Sequence, residues 1–418
     1  MRSGVFPSGL RYALKRSGRA VAFCSLTIGA GTRDEAGYPA GIAHFVEHTL
    51  FRGTARKSAA VIGSYLDKLG GELNAYTTKE EIVLHATVLK EDLPKAVKLL
   101  FELATEATFP ENEIETERGV VLDEIISYKD NPAEDVYDRF ESLLFDGSPL
   151  ATPILGTTAS VKRISPEMLR RFVDEKFVPG NMVLSIVADV DEALLEKRVR
   201  KWADALETAG HVPFVANKKA DAPQGTCPAA EVPSAVFHKV VDKRHHEANA
   251  VIGCRAPSLY EMPERLMCAM LANILGGPAS NSLLNKELRE KRGWVYGIEC
   301  SYTQYADTGI LAITFGCDKT NLEPCLEAIG KILQRLQETP LSDSQFKAYR
   351  KQLLGQLAIS SEAGEAQCLS MGKSMLSWGR IMTPDETRAA IAAITPADLQ
   401  AMAARLFAPD SLSSLVYL

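Results

Sequence analysis

Short runs of alternating apolar and polar residues are interleaved with longer stretches at helical spacing, and this divides the chain into strands and helices. Alternation marks strands at 10–14 and 20–28, read as a hairpin turning at Ser17-Gly18-Arg19, and further strands at 72–77 and 81–89. Helical spacing marks a helix opened by Pro39 and ended near Gly53, another at 58–69 closed by Gly70-Gly71, one at 93–104, and one from Pro110 to about Tyr128. Helices at 132–144, 166–176 and 192–206 surround a strand at 182–187. Periodicity then stops, and the Ala, Pro, Gly and Lys-rich run at 210–233 is expected to be a linker between domains at 1–209 and 234–418.

The second half repeats the first in outline. Strands at 237–241 and 248–254 precede helices at 263–275 and 282–290, then strands at 295–302 and 309–315 and a helix at 322–336. Residues 342–407 are helix-rich, and 411–418 read as a final strand. Aligning Leu73 with Tyr296 sets Cys268, Leu271 and Ala272 opposite His44, Glu47 and His48. Leu271 and Ala272 carry no metal-binding atom, so a duplication would leave chemistry at this helix in the first half alone.

That chemistry is the stretch His44-Phe45-Val46-Glu47-His48. Residues four apart on a helix share a face, so the two imidazoles can meet one ion, and Glu47 stays on the same face. Ile42, Phe45, Val46 and Thr49 fall on the core side. H-x-x-E-H is the inverse of the zincin motif. Two imidazoles and a carboxylate suit Zn2+ and leave a position for water, on which Glu47 would act as general base. Glu117 and Glu124 lie two turns apart on one face of the 110–128 helix. Either could complete the metal set while the other orients it. The polar strand holding Asn74 and Ala75 reads as a sheet edge, either solvated or paired with a peptide backbone.

Composition narrows the alternatives. A length of 418 residues exceeds one ordinary core, and a net charge of −6 with pI near 5.8 gives no footprint for nucleic acid or anionic lipid. No signal-like or membrane-spanning apolar run occurs, so a cytoplasmic protein is expected provided Met1 is the native start. The eight cysteines are scattered without a C-x-x-C pair and read as reduced core residues. Gly29-Ala30-Gly31-Thr32-Arg33-Asp34-Glu35 lacks the Gly-Lys-Ser/Thr of a phosphate loop and reads as a connector. His245-His246 reads as a solvated strand-edge pair, since neighbours in a strand face opposite ways.

At His44 to Thr54 and at Glu117-Arg118-Gly119-Val120-Val121-Leu122-Asp123-Glu124 the chain resembles the pitrilysin-type (inverzincin) metallopeptidases. The nearest likeness is to the short-chain branch of mitochondrial processing peptidase subunits and their bacterial relatives. The resemblance implies Glu124 as third zinc ligand, Glu117 as its supporting acid, and Asn74 and Ala75 as substrate-binding positions. Leu288-Arg289-Glu290-Lys291-Arg292-Gly293-Trp294-Val295-Tyr296 resembles the family's arginine and tyrosine pair. It implies Tyr296 as an oxyanion donor and Arg289 as a substrate anchor. The fold implied is α+β, two homologous units each with a largely antiparallel sheet packed with helices, together half of a clamshell. The implied activity is a zinc endopeptidase acting on peptides or unfolded segments in an enclosed chamber, as a homodimer or as a heterodimer with a zinc-less homologue. The alternative is a non-catalytic scaffold or peptide-binding subunit of the same fold. Ser148, and the run from Gly276 to Leu284, depart from the family pattern without touching the zinc set.

Overall fold

A computed structural model describes residues 1–208 and 235–418, so the expected linker at 210–233 lies outside the described residues. The described strands are β1 (Arg2–Val5), β2 (Arg11–Arg16), β3 (Val21–Ile28), β4 (Glu72–Thr77), β5 (Ile82–Leu89), β6 (Met182–Ala188), β7 (His238–Val241), β8 (Glu247–Ala256), β9 (Val295–Gln304), β10 (Gly309–Asp318) and β11 (Ser413–Tyr417). They form one sheet in order β1-β2-β6-β3-β5-β4 and another in order β7-β11-β8-β10-β9. Each sheet belongs to its own compact unit.

The expected hairpin of β2 and β3 does not form. Every residue of β6, Met-Val-Leu-Ser-Ile-Val-Ala, is buried, and β6 lies between them, parallel to β2 and antiparallel to β3. A strand apolar on both sides gains most in a sheet's interior, and that outweighs the short turn. The second sheet has the same plan. β11 stands where β6 does, parallel to β7 and antiparallel to β8, and β10 links β8 to the edge strand β9 as β5 links β3 to β4. The repeat read in the sequence is therefore a duplicated topology, with β1 added to the first copy.

Each sheet is covered on both faces. In the first unit, the helices Ile42–Leu50 and Leu93–Thr105 pack on one face. The helix Gly364–Trp378 packs on the other, setting Cys368, Met371 and Met375 against Ala13, Val183 and Val187. In the second unit, Glu264–Gly276 packs on one face, and Pro132–Leu144 covers the other by placing Val136, Phe140 and Leu144 against Val251, Ala312 and Leu415. The units are consequently not contiguous in sequence. The first gathers Met1–Ile125, the described part of Thr152–Ala222 and Ile359–Met382; the second gathers Ile126–Ala151, the described part of Pro223–Ala358 and Thr383–Leu418. A division at 209 and 234 assigns both covering helices to the opposite unit, because it follows chain order and not the apolar sheet faces that bind them.

Two expected helices are altered. The 58–69 stretch keeps only Ala59–Gly63 and a single turn at Asp67–Leu69, where Gly63-Ser64 weakens the middle. The 282–290 stretch is wound as a π-helix over Asn285–Glu290. The seven described cysteines are all buried and unpaired, and Cys227 lies outside the described residues. No helix among the described residues is long and apolar enough to cross a membrane.

Gly372 is a point of close approach of its helix to the first sheet. A Cβ there would lie 2.5 Å from Thr27 Oγ1 and 3.2 Å from Ser185 Oγ. Gly372→Leu is therefore expected to lower stability by about 1–3 kcal/mol in thermal unfolding. Gly330→Ala, at a helical site where a Cβ meets nothing within 4 Å, should raise it slightly. Equal stability of Gly372→Leu and wild type would contradict the packing described.

Candidate functional site

The His44 helix, Ile42–Leu50, begins at a position only glycine fills easily. Gly41 has φ of 87°, and a Cβ on it would lie 2.7 Å from the Leu155 carbonyl oxygen. The first turn's backbone N–H groups need acceptors, and the buried Glu35 carboxylate supplies them. It accepts from Gly41 N at 3.0 Å and Ala43 N at 3.0 Å. Ile42, Phe45, Val46 and Leu50 enter the core, which turns His44, Glu47 and His48 to the other side.

Three side chains converge there. His44 Nε2 lies 3.7 Å and His48 Nε2 3.4 Å from Glu124 Oε2. One ligand atom from each residue lies within 4.8 Å of the others. Tetrahedral coordination at about 2.0–2.1 Å places ligand atoms roughly 3.3 Å apart, so the set fits a Zn2+ ion with little adjustment. The spacing left open which of Glu117 and Glu124 would meet both imidazoles, and the geometry separates them. Glu117, 3 % exposed, holds the far nitrogen of His48, with Nδ1 to Oε1 at 2.7 Å, and is ion-paired with Arg52. Glu47 accepts the Thr77 hydroxyl at 2.8 Å.

Electrostatics among these side chains follow from burial and neighbours. Burial, together with the charge of His48, lowers the pKa of His44 to about 4. Burial also opposes charge on His48, but hydrogen bonds to Glu117 and Glu124 and the charge of Glu47 outweigh it and lift its pKa to about 9. Glu124 is held below the usual carboxylate range by its hydrogen bond to His48. Burial raises Glu47 against the opposing Thr77 hydrogen bond.

Comparison with known proteins decides the family. Residues 11–158 match the model of insulinase, peptidase family M16, and residues 163–353 match the peptidase M16 inactive domain. An uncharacterized zinc protease of Streptomyces coelicolor is 31% identical over 408 residues, covering 96% of this chain and 86% of that protein. The chain belongs to the pitrilysin-type M16 peptidase family. Another M16-like relative, an uncharacterized zinc protease of Bacillus subtilis, is 29% identical over 98% of this chain and 96% of its own. The crystal structure of a protease from Helicobacter pylori shares the fold with a TM-score of 0.87 at 18% identity, over 100% of this chain and 99% of that one.

The remaining positions singled out in this M16 chain are distributed over both units. Asn74 and Ala75 lie on β4, the free edge of the first sheet, with Asn74 exposed and Ala75 half-buried. The His44 helix packs against this strand. Arg289 and Tyr296 belong to the second unit. Arg289 is exposed and lines a cavity of about 490 Å³ together with Asn273 and Asn285. Tyr296 is 57% exposed and donates its hydroxyl to Asp318 Oδ1 at 2.9 Å, which holds its pKa above the usual phenol value. His245 and His246 lie in the loop between β7 and β8, not in a strand, and belong to no metal-capable group among the described residues.

Arg52, Thr77 and Glu35 were missed by sequence reasoning. Arg52 is four residues past His48, and that spacing is the one signal by which it could have been found. Thr77 and Glu35 reach the helix through space and leave no periodic trace.

Burial lifts Glu35 from 4.5 to about 7, against the pull of the Ala43 and Gly41 N–H groups. A carboxyl raised in the folded state gives stability that is fully present below its unfolded pKa and is lost as pH rises through its folded pKa. Wild type is therefore expected to lose thermal stability relative to Glu35→Gln between about pH 4.5 and pH 7. Parallel unfolding temperatures across that range would contradict this role for Glu35.

Proposed function

We propose that the chain is a zinc-dependent endopeptidase that hydrolyses peptides or unfolded segments. The observation that carries the reading is the convergence of His44, His48 and Glu124 to within metal-ligand distance, with Glu47 on the same helix face. His44, His48 and Glu124 would hold the ion. When bound, Zn2+ supplies Lewis-acid polarisation of the scissile carbonyl and acidifies water. Glu117 fixes the ring of His48 through Nδ1, and Arg52 holds Glu117 in turn. Glu47, with one oxygen anchored by Thr77, takes a proton from the attacking water and returns it to the leaving amine nitrogen.

The β4 edge is read as the platform on which the substrate backbone at Asn74 and Ala75 adds as a further strand. Tyr296 and Arg289 are read as transition-state and substrate contacts, which requires the Tyr296 hydroxyl to exchange Asp318 for the substrate. A homodimer, each copy carrying both sets of residues, completes this reading as an enclosed chamber. A zinc-free partner of the same fold is the heterodimeric variant.

Glu47→Gln is expected to keep its zinc, measured by metal analysis, while cleavage of a quenched peptide library falls about 10²–10⁴-fold. Unchanged cleavage by the variant, or wild type that binds no metal, would overturn the assignment and favour a peptide-binding scaffold. Glu117→Gln should weaken zinc affinity about 10–100-fold, and undiminished affinity would remove its supporting role.

A further inference from the structure

Tyr296 stands at an irregularity in the edge of the second sheet. Val295 of β9 pairs with Cys317 of β10 and Gly297 pairs with Gly316, so Tyr296, between them, has no partner across the ladder. An extra residue of this kind is a β-bulge, which breaks the alternation of faces and re-aims the side chain it carries. Tyr296 and Gly297 are accordingly both exposed, between the buried Val295 and Ile298. A Cβ at Gly297 would meet nothing within 4 Å, so the neighbouring ring has room to turn.

One contact fixes the ring in that room. The Tyr296 hydroxyl donates to Asp318 Oδ1 at 2.9 Å. Asp318 is the N-cap of the single turn Lys319–Asn321, a position from which an aspartate ordinarily accepts from the backbone N–H groups of the turn. It makes no capping hydrogen bond, and its carboxylate is turned to the phenol instead. That hydrogen bond is the main reason why Tyr296 titrates above the usual phenol range, with the charge of Asp318, Glu247 and Cys317 adding to it. An ordinary phenol, with a pKa of about 10, is already protonated at neutral pH, so the contact does not create a donor. Its consequence is to direct the one hydrogen that Tyr296 can give.

We propose that Asp318 is a positioning residue that holds Tyr296 in a resting orientation, from which a substrate has to release the hydroxyl. Tyr296 as a substrate contact rests on the endopeptidase reading, whereas the hold of Asp318 on its hydroxyl does not. A phenol donates one hydrogen bond at a time, so conformers aimed at Asp318 and conformers aimed at a substrate oxygen exclude one another. The substrate contact is therefore weakened in proportion to the fraction of molecules whose hydroxyl is released. A carboxylate beside a developing oxyanion opposes it as well. Both effects have the same sign, and removal of Asp318 strengthens the action of Tyr296. A hydroxyl held for about two-thirds of the time gives about a threefold gain on release.

The test is a double-mutant cycle in full-length, zinc-loaded protein with a quenched peptide library as substrate. Asp318→Ala should raise kcat/KM about threefold. In a Tyr296→Phe background, where no hydroxyl remains to be released, the same change should have no effect. Independently of cleavage, the Tyr296 phenol is titrated by NMR in protein carrying 13C-labelled tyrosine, its signal assigned by its loss in Tyr296→Phe. The pKa should lie above the ordinary value in wild type and fall back towards it in Asp318→Asn, which keeps the size of the side chain and removes its charge. An unchanged or lower kcat/KM in Asp318→Ala, a gain of equal size in both backgrounds, or a phenol titration indifferent to Asp318→Asn would overturn the proposal. Wild-type protein that cleaves nothing would refute the peptidase reading instead. The titration then decides the hold alone, with a raised pKa that Asp318→Asn lowers supporting it and an ordinary wild-type pKa overturning it.

Discussion

The fold has to bring His44, His48 and Glu124 within metal-ligand distance of one another, and two of them are one helical turn apart on a single short helix. That requirement fixes much of the surrounding structure. The helix Ile42–Leu50 has to turn its opposite side wholly into the core, so its first turn needs a buried acceptor, and Glu35 supplies one. The third group has to come from elsewhere, and the helix Glu111–Asp130 delivers Glu124 to both imidazoles and Glu117 to the far side of one.

The duplication gives this demanding site a stable frame. Both sheets follow one plan, and the sequence offset between the halves sets Leu271 and Ala272 opposite Glu47 and His48. The helix Glu264–Gly276 packs as an ordinary core element, with Cys268, Leu271 and Leu275 buried. The second copy differs from the first in detail, with Gly316 and Gly297 opposite one another across β10 and β9.

What could be read from the chain alone follows the reach of local physics. His44, Glu47 and His48 declare themselves because helical spacing is a property of neighbours. The α+β class and the repeated order of elements are legible for the same reason. Spacing could not rank Glu124 against Glu117, because both lie on one face of one helix and only the approach of a second helix distinguishes them. The insertion of β6 between β2 and β3 depends on contacts more than 150 residues apart in sequence. So does the covering of the first sheet by Gly364–Trp378, which carries no pattern naming its partner. Thr77 and Glu35 belong to the same class of non-local facts.

The central claim is that His44, His48 and Glu124 hold one divalent ion. Its most direct test is a crystal of the zinc-loaded protein with diffraction data collected on both sides of the zinc absorption edge. The account predicts one anomalous peak per chain, about 2.0–2.1 Å from His44, His48 and Glu124. A peak elsewhere, or Glu117 in place of Glu124 in the coordination sphere, would contradict it.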